Sequence, residues 1–162
     1  MKEIQIIESK NFNLIAELIE DVQNLHSSLF PAIYKPFKVK EISEVMEQML
    51  ADDNCRLLIA QLNGESIAYL MLIIKEVPEN AFHYSFRLIH IDQIAVSKKN
   101  QKIGVGSMLM EKAEMIAKEL NIDRLELDHL DNNLVAADFF QSKGYIPFRS
   151  KLFKKLKWNS TK

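Results

Sequence analysis

Between residues 94 and 107 the chain reads Ile94-Ala95-Val96-Ser97-Lys98-Lys99-Asn100-Gln101-Lys102-Ile103-Gly104-Val105-Gly106-Ser107. An apolar strand end runs into a polar loop and then into a glycine-bearing helix start. The first turn of a helix leaves N–H groups without intrahelical partners, and its dipole favours an anion there. Glycine allows close approach to those N–H groups, Ser107 adds a hydroxyl, and Lys98, Lys99 and Lys102 add positive charge. Such a segment can cradle a phosphate or pyrophosphate. A plain strand-to-helix turn with solvated lysines would carry the same residues, so the spacing leaves both readings open. Two nucleotide-binding patterns fit poorly. A Rossmann fingerprint needs a small residue where Leu109 stands, and a Walker loop needs Gly-Lys-Ser/Thr where the chain has Gly106-Ser107-Met108.

The elements around this segment follow from periodicity. Residues 3–8 alternate and predict a strand. Leu14, Ile15, Leu18, Ile19, Val22, Leu25 and Leu29 recur at helical spacing, with Asn11 or Asn13 as candidate N-cap. Residues 30–38 carry two prolines and predict a loop, and residues 40–51 a second helix. Asn63-Gly64 between two apolar runs predicts a hairpin of strands 56–62 and 65–77. Further strands are predicted at 84–96, 124–130, 145–148 and 152–156, and helices at 104–120 and 133–143. The order β-α-α-β-β-β-α-β-α-β-β implies an α+β or α/β fold with helices on both faces of the sheet.

Composition sets outer limits. One chain of 162 residues is about one domain. The net charge of −1 argues against a protein that coats nucleic acid or an anionic membrane. The longest apolar run, residues 67–74, is far shorter than the ~20 residues of a membrane-spanning helix. The start, Met1-Lys2-Glu3-Ile4-Gln5, lacks a secretory pattern, and cytoplasmic residence is the expectation. The lone Cys55 reads as a small core residue, as do most of the methionines, and the four histidines lack metal-ligand spacing, so no metal is expected.

Two blocks resemble a known family. Gln101-Lys102-Ile103-Gly104-Val105-Gly106 resembles the Q/R-x-x-G-x-G/A signature of the GNAT N-acetyltransferases, and Ile94-Ala95-Val96 resembles the end of that family's fourth strand. Asn133-Leu134-Val135-Ala136-Ala137-Asp138-Phe139-Phe140-Gln141-Ser142-Lys143-Gly144-Tyr145 is similar to its N-x-x-A-x-x-F-Y-x-x-x-G-F pattern. The order of elements over residues 3–156 matches too. The resemblance implies a mixed, mostly antiparallel sheet of about six or seven strands, splayed between the strand ending at Val96 and strand 124–130, with about four helices. It implies a single N-acetyltransferase domain over residues 1–162. It also implies acetyl-CoA as donor and a primary amine as acceptor, and it allows the homodimer many members form. The pyrophosphate would lie on the N–H groups of residues 101–107 and the pantetheine along Ile94, Ala95 and Val96. Asn133 and Ala136 would face the cofactor, and Phe139 and Phe140 would flank its thiol end.

Amide formation from such a donor needs a neutral amine, a proton acceptor and an oxyanion donor. Free alkylamines have a pKa near ~10, so a base must take a proton directly or through water. The Val96 N–H is placed to donate to the oxyanion. By the period of two, Leu88, His90, Asp92, Ile94 and Val96 share a face. Family members often carry the base four or six residues before this valine, which selects Asp92 and His90; both also suit an ordinary sheet. Asp128 and His129 on the next strand are second candidates, with Glu126 an ordinary exposed residue. The tyrosine that usually protonates the leaving thiolate is replaced by Phe140. The thiolate then leaves unassisted or through water, another residue such as Ser142 or an N-terminal tyrosine substitutes, or the chain is an acyl-CoA-binding module with weak catalysis. In the loop after the first helix, His26, Phe30, Tyr34 and Phe37 either line the acceptor pocket or pack the loop onto the sheet. Residues 78–84 form another candidate rim. Lys151, Lys154, Lys155, Lys157 and Lys162 read as a solvated edge strand.

Overall fold

The computed structural model describes residues 3–156. The chain divides into two compact units, a first through Asp128 and a second from His129.

The first unit is built on five strands in the order β1-β2-β3-β4-β5: β1 (Ile4–Glu8), β2 (Cys55–Leu62), β3 (Glu65–Val77), β4 (Phe86–Val96) and β5 (Leu125–Leu127). The first four pair antiparallel, and β5 joins β4 in parallel. The β2–β3 hairpin turns on Asn63 and Gly64, at φ 54° and 81°, the pair of left-handed residues a two-residue hairpin loop requires. Asn11 caps only the short 3₁₀ turn Phe12–Leu14, accepting from the Asn13 N–H, and α1 (Ala16–Leu29) follows. Then come α2 (Val39–Ala51) and, after β4, α3 (Val105–Glu119).

Both sheet faces are covered. Phe12, Ile15, Leu18 and Ile19 join Met46 and Leu50 of α2 over Cys55, Leu57, Ile59, Tyr69 and Met71, all buried in one cluster. On the opposite face lie Leu58, Leu70, Leu72, Ile89 and Ile91, and α3 packs along β2, β3 and β4 with Val105, Leu109, Met110, Ala113, Ile116 and Ala117 buried. Core packing of this kind dominates the stability of a domain.

The second unit holds α4 (Leu134–Ser142), capped by Asn133, whose side-chain oxygen accepts from the Ala136 N–H at 3.3 Å. His129, Phe139 and Tyr145 surround the buried Phe140 ring, with centroids 6.1, 5.4 and 5.9 Å away.

Three expectations are corrected. The sheet has five strands among the described residues, not six or seven, because residues 145–148 and 152–156 are irregular. Their alternation suits a strand, but a strand needs a paired neighbour, and Ile146, Phe148, Leu152 and Phe153 are instead largely exposed. Lys151, Lys154 and Lys155 are therefore exposed without being an edge strand; Lys157 and Lys162, like Met1 and Lys2, lie outside the described residues. Strand 124–130 shrinks to Leu125–Leu127, which pairs with Ile89–Ile91 of β4. The face assignment on β4 also changes. Met71 pairs with Gln93 and Leu72 with Ile91, leaving Asp92 as the extra residue of a bulge. His90 pairs with Ile73 and so faces α1 and α2, whereas Ile94 and Val96 pair with Leu70 and Ala68 and face the α3 side.

Candidate active site

The site begins where β4 outlasts its neighbour. β5 accompanies β4 only as far as Ile91, so no strand of the sheet pairs with that edge of β4 from Asp92 to Val96. The expected splay is present. Ser97 donates its N–H to the Ile67 carbonyl at 2.9 Å. In an antiparallel ladder the residue before such a donor turns its own N–H and C=O the other way. Val96, opposite Ala68, therefore directs both groups to the open edge, and Ile94 does the same by alternation. The Val96 carbonyl accepts from the Gln101 side-chain amide at 3.3 Å. Sequence reasoning placed Gln101 in the cradle through its backbone alone; its side chain also ties the loop to the strand end.

The loop then turns into α3 through two left-handed residues, Lys102 at φ 64° and Gly104 at φ 87°. A left-handed lysine is strained, and such strain concentrates at binding turns. Gly104 is the N-cap, no side chain caps the helix, and the first turn holds no acidic residue. The N–H groups at the start of this 15-residue helix thus have no protein acceptor from a cap. A Cβ at Gly104 would meet nothing within 4 Å, so the space above it is open. These features fit a bound pyrophosphate. The charge is narrower than expected. Lys99 pairs with Glu65 and Lys98 with Asp21, while Lys102 has no carboxylate partner among the described residues. Hydrogen bonding to Glu65 also raises the Lys99 pKa, so that ammonium is committed.

The base candidates lie on the α1–α2 side. His90 is mostly buried, its side chain 18% exposed, and its Nε2 lies 3.9 Å from Oδ2 of Asp128, which is 93% exposed. Parallel pairing sets His90 against Glu126, which is engaged by Arg124. Asp92 is exposed at the bulge. Burial above all, and the Asp92 charge after it, raises the pKa of both Tyr69 and Cys55, whose side chains belong to the α1–α2 cluster, so the carboxylate is felt on that face. His90, Asp92 and Asp128 therefore converge on one side of β4, as proton chemistry would need. Tyr69 and Gln93, absent from the sequence-based candidates, touch this group: the Tyr69 hydroxyl donates to Gln93 Oε1 at 2.8 Å, and Gln93 Nε2 donates to Asp92 Oδ2 at 3.4 Å. Nothing in the alternation of residues 86–96 marks the bulge that brings Gln93 to Asp92.

His26 stands in the last turn of α1 rather than in the loop after it; it is half-buried, its ring lies 5.2 Å from that of Tyr34 in the loop, and burial lowers its pKa. Phe37 packs against the core, as the packing reading has it, while Phe30 is partly exposed. Gln23 and Asn24 of α1 hold the loop through the Lys35 carbonyl and the Phe37 N–H. In the second unit His129 stacks on Phe140, the Asn133 side-chain oxygen caps its own helix beside Ala136, and the Ser142 hydroxyl donates to the Phe139 carbonyl at 2.6 Å. That leaves Ser142 a poor replacement for the missing tyrosine hydroxyl.

Comparison with known proteins shows the family and the fold. The model of the acetyltransferase (GNAT) family matches residues 19–145, and the chain belongs to that family. No curated protein sequence matches it. Solved structures share the fold at low identity. A tetramutant of the BH1408 protein of Bacillus halodurans superposes with a TM-score of 0.85 at 18% identity, covering 94% of this chain and 99% of its own. The aminoglycoside N-acetyltransferase AAC(6')-Iy, solved with CoA, gives 0.71 at 16%, covering 98% and 97%. The aminoglycoside 6'-N-acetyltransferase AAC(6')-IG of Acinetobacter haemolyticus gives 0.72 at 19%, covering 96% and 99%. Among the described residues no helix is long and apolar enough to cross a membrane.

Proposed function

We propose that the chain transfers the acetyl group of acetyl-CoA to a primary amine by direct attack within a ternary complex. The observation that carries this reading is the open edge of β4, whose last N–H, at Val96, points away from β3 and leads straight into the uncapped start of α3. The family match supports it, as does the fold shared with a CoA-bound acetyltransferase. The match runs across both units, which supports taking residues 1–162 as one acetyltransferase domain.

Acetyl-CoA supplies the activated thioester. Backbone N–H groups of residues 101–107, with Lys102 beside them, hold the pyrophosphate. Ile94 and Val96 bind the pantetheine as an added strand would. Asp92 or His90 takes the proton that the acceptor ammonium must lose before its nitrogen can attack. The Val96 N–H donates to the oxygen that becomes negative as the new C–N bond forms. The C–S bond then breaks, the attacking nitrogen gives its remaining extra proton to water, and the thiolate takes one from water, because Phe140 has none to give. Small amines and protein amines are both candidate acceptors, with His26, Phe30, Tyr34 and Asp128 on the acceptor side. Aminoglycosides belong in the test panel because two neighbours of the fold act on them by name. Cytoplasmic residence and a homodimer complete the reading.

Phe140 favours a second reading, an acyl-CoA-binding module with weak catalysis, since the nearby Ser142 hydroxyl is already spent. Calorimetry with acetyl-CoA, beside CoA release measured with a thiol-reactive dye over a panel of amines, separates the two. Binding with amine-dependent release supports the enzyme; binding without release supports the module; no binding removes both.

A further inference from the structure

The geometry points to a positioning relay in which buried Tyr69 orients Gln93, and Gln93 in turn holds the Asp92 carboxylate in place to receive the acceptor's proton. This inference rests on the reading that Asp92 serves the acceptor amine.

Three observations carry it. The first is the bulge. In a regular strand Asp92 and Gln93 would point to opposite faces and could not bond side chain to side chain. The extra residue between the Leu72–Ile91 and Met71–Gln93 pairs brings both to the α1–α2 face, where Gln93 Nε2 reaches Asp92 Oδ2 at 3.4 Å. The second is the direction of the bonds. The Tyr69 hydroxyl, 2.8 Å from Gln93 Oε1, donates its proton there. With the oxygen of the amide engaged, its NH₂ must face the carboxylate. The opposite flip would set two acceptors, Oε1 and the Asp92 carboxylate, against each other and lose the second bond. The third is the anchoring. Tyr69 is fully buried in the α1–α2 cluster, and burial together with the Asp92 charge keeps its hydroxyl protonated far above the usual phenol range. Its role as donor therefore does not change across working pH.

A purely structural role does not require this chain. Phenylalanine at 69 would fill the same core without a hydroxyl to satisfy, and a buried hydroxyl is stabilising only when bonded. The polar line instead runs from the core outward and ends on the one carboxylate of β4, beside the open edge. A carboxylate held from one side by a fixed donor keeps its other oxygen toward the acceptor, which is what a base in a defined position needs.

The test is a double-mutant cycle in the full chain, using an amine that the wild type acetylates. Asp92→Asn lowers kcat about 100-fold, the scale of a lost general base. Tyr69→Phe and Gln93→Met each lower kcat about tenfold, the scale of one lost hydrogen bond, with the calorimetric affinity for acetyl-CoA within about twofold of wild type. In the Asp92→Asn background neither lowers kcat further. Gln93→Met keeps the test open where Tyr69→Phe does not fold. Losses that multiply with Asp92→Asn, or a lowered melting temperature with unchanged kcat, overturn the relay. Unchanged kcat in Asp92→Asn alone overturns the relay while the acetyltransferase reading stands. Acetyl-CoA binding with no turnover on any amine overturns both.

Discussion

Ser97 donates its backbone N–H to the carbonyl of Ile67 at 2.9 Å, and that bond decides which way Val96 faces. Because the ladder alternates, the N–H of Val96 leaves the sheet rather than joining it. It does so at the point where β5 has already ended, five residues earlier on the same strand. An edge that would be a liability in an ordinary sheet is here bounded by a helix start and a glycine turn. The proposed ligand, with an extended amide-bearing arm and an anionic end, would meet both features.

Gly104 tests the anionic end. At φ 87° a side chain is strained, although a Cβ would meet no protein atom within 4 Å. Gly104→Val should destabilise the fold by only about 1–2 kcal/mol. It should weaken acetyl-CoA binding at least tenfold, because the added carbons occupy the space over the helix start. Calorimetric titration and thermal melting of the same sample separate the two effects. Affinity equal to wild type would contradict the cradle.

His26 sets an acid-side dependence of stability. Burial lowers its native pKa, so the unfolded chain binds the proton more tightly than the folded one. Stability is then full above the ordinary imidazole pKa of about 6.5 and declines as pH falls below it. His26→Gln should flatten that decline. Urea midpoints at pH 7.5 and 5.5 should differ less in the variant than in the wild type; an equal difference would show that another group is responsible.

Glu8 acts lower on the pH scale. Its carboxylate takes two bonds from Arg56, Nε to Oε1 at 2.7 Å and an Nη to Oε2 at 2.6 Å, and these hold its pKa below the usual value. The contribution is complete above the ordinary glutamate pKa and is lost as pH falls through the lowered native one. With side chains 44% and 27% exposed, the pair contributes about 0.5 kcal/mol. Glu8→Gln should lower the melting temperature slightly at pH 7 and leave it unchanged near pH 3. A loss of the same size at both pH values would mean that packing, not charge, is at stake.

Much of this molecule is legible in its residues, for identifiable reasons. Asn63-Gly64 marks its hairpin because only a left-handed pair closes a two-residue loop, and Gly104, at φ 87°, marks the helix start for a similar steric reason. The splay at Val96 came through resemblance, and the strand pairing bears it out. What escaped depends on partners distant in sequence. The bulge at Asp92 is a skipped pairing with β3, and a period-two pattern carries no record of a skipped partner. Lys98 and Lys99 read as free charge, yet their carboxylates, Asp21 and Glu65, lie in other elements. Residues 145–148 and 152–156 alternate as strands would and form none, since alternation describes a surface and pairing requires a neighbour.

The most direct test of the whole account is the rate at which CoA thiol appears when the chain, saturating acetyl-CoA and a panel of primary amines are mixed. The account predicts release that depends on an amine, saturates with it, and falls about 100-fold in Asp92→Asn or His90→Gln, whichever side chain is the base. Release no faster than in the amine-free mixture, across polyamines, aminoglycosides and peptide amines alike, would contradict it.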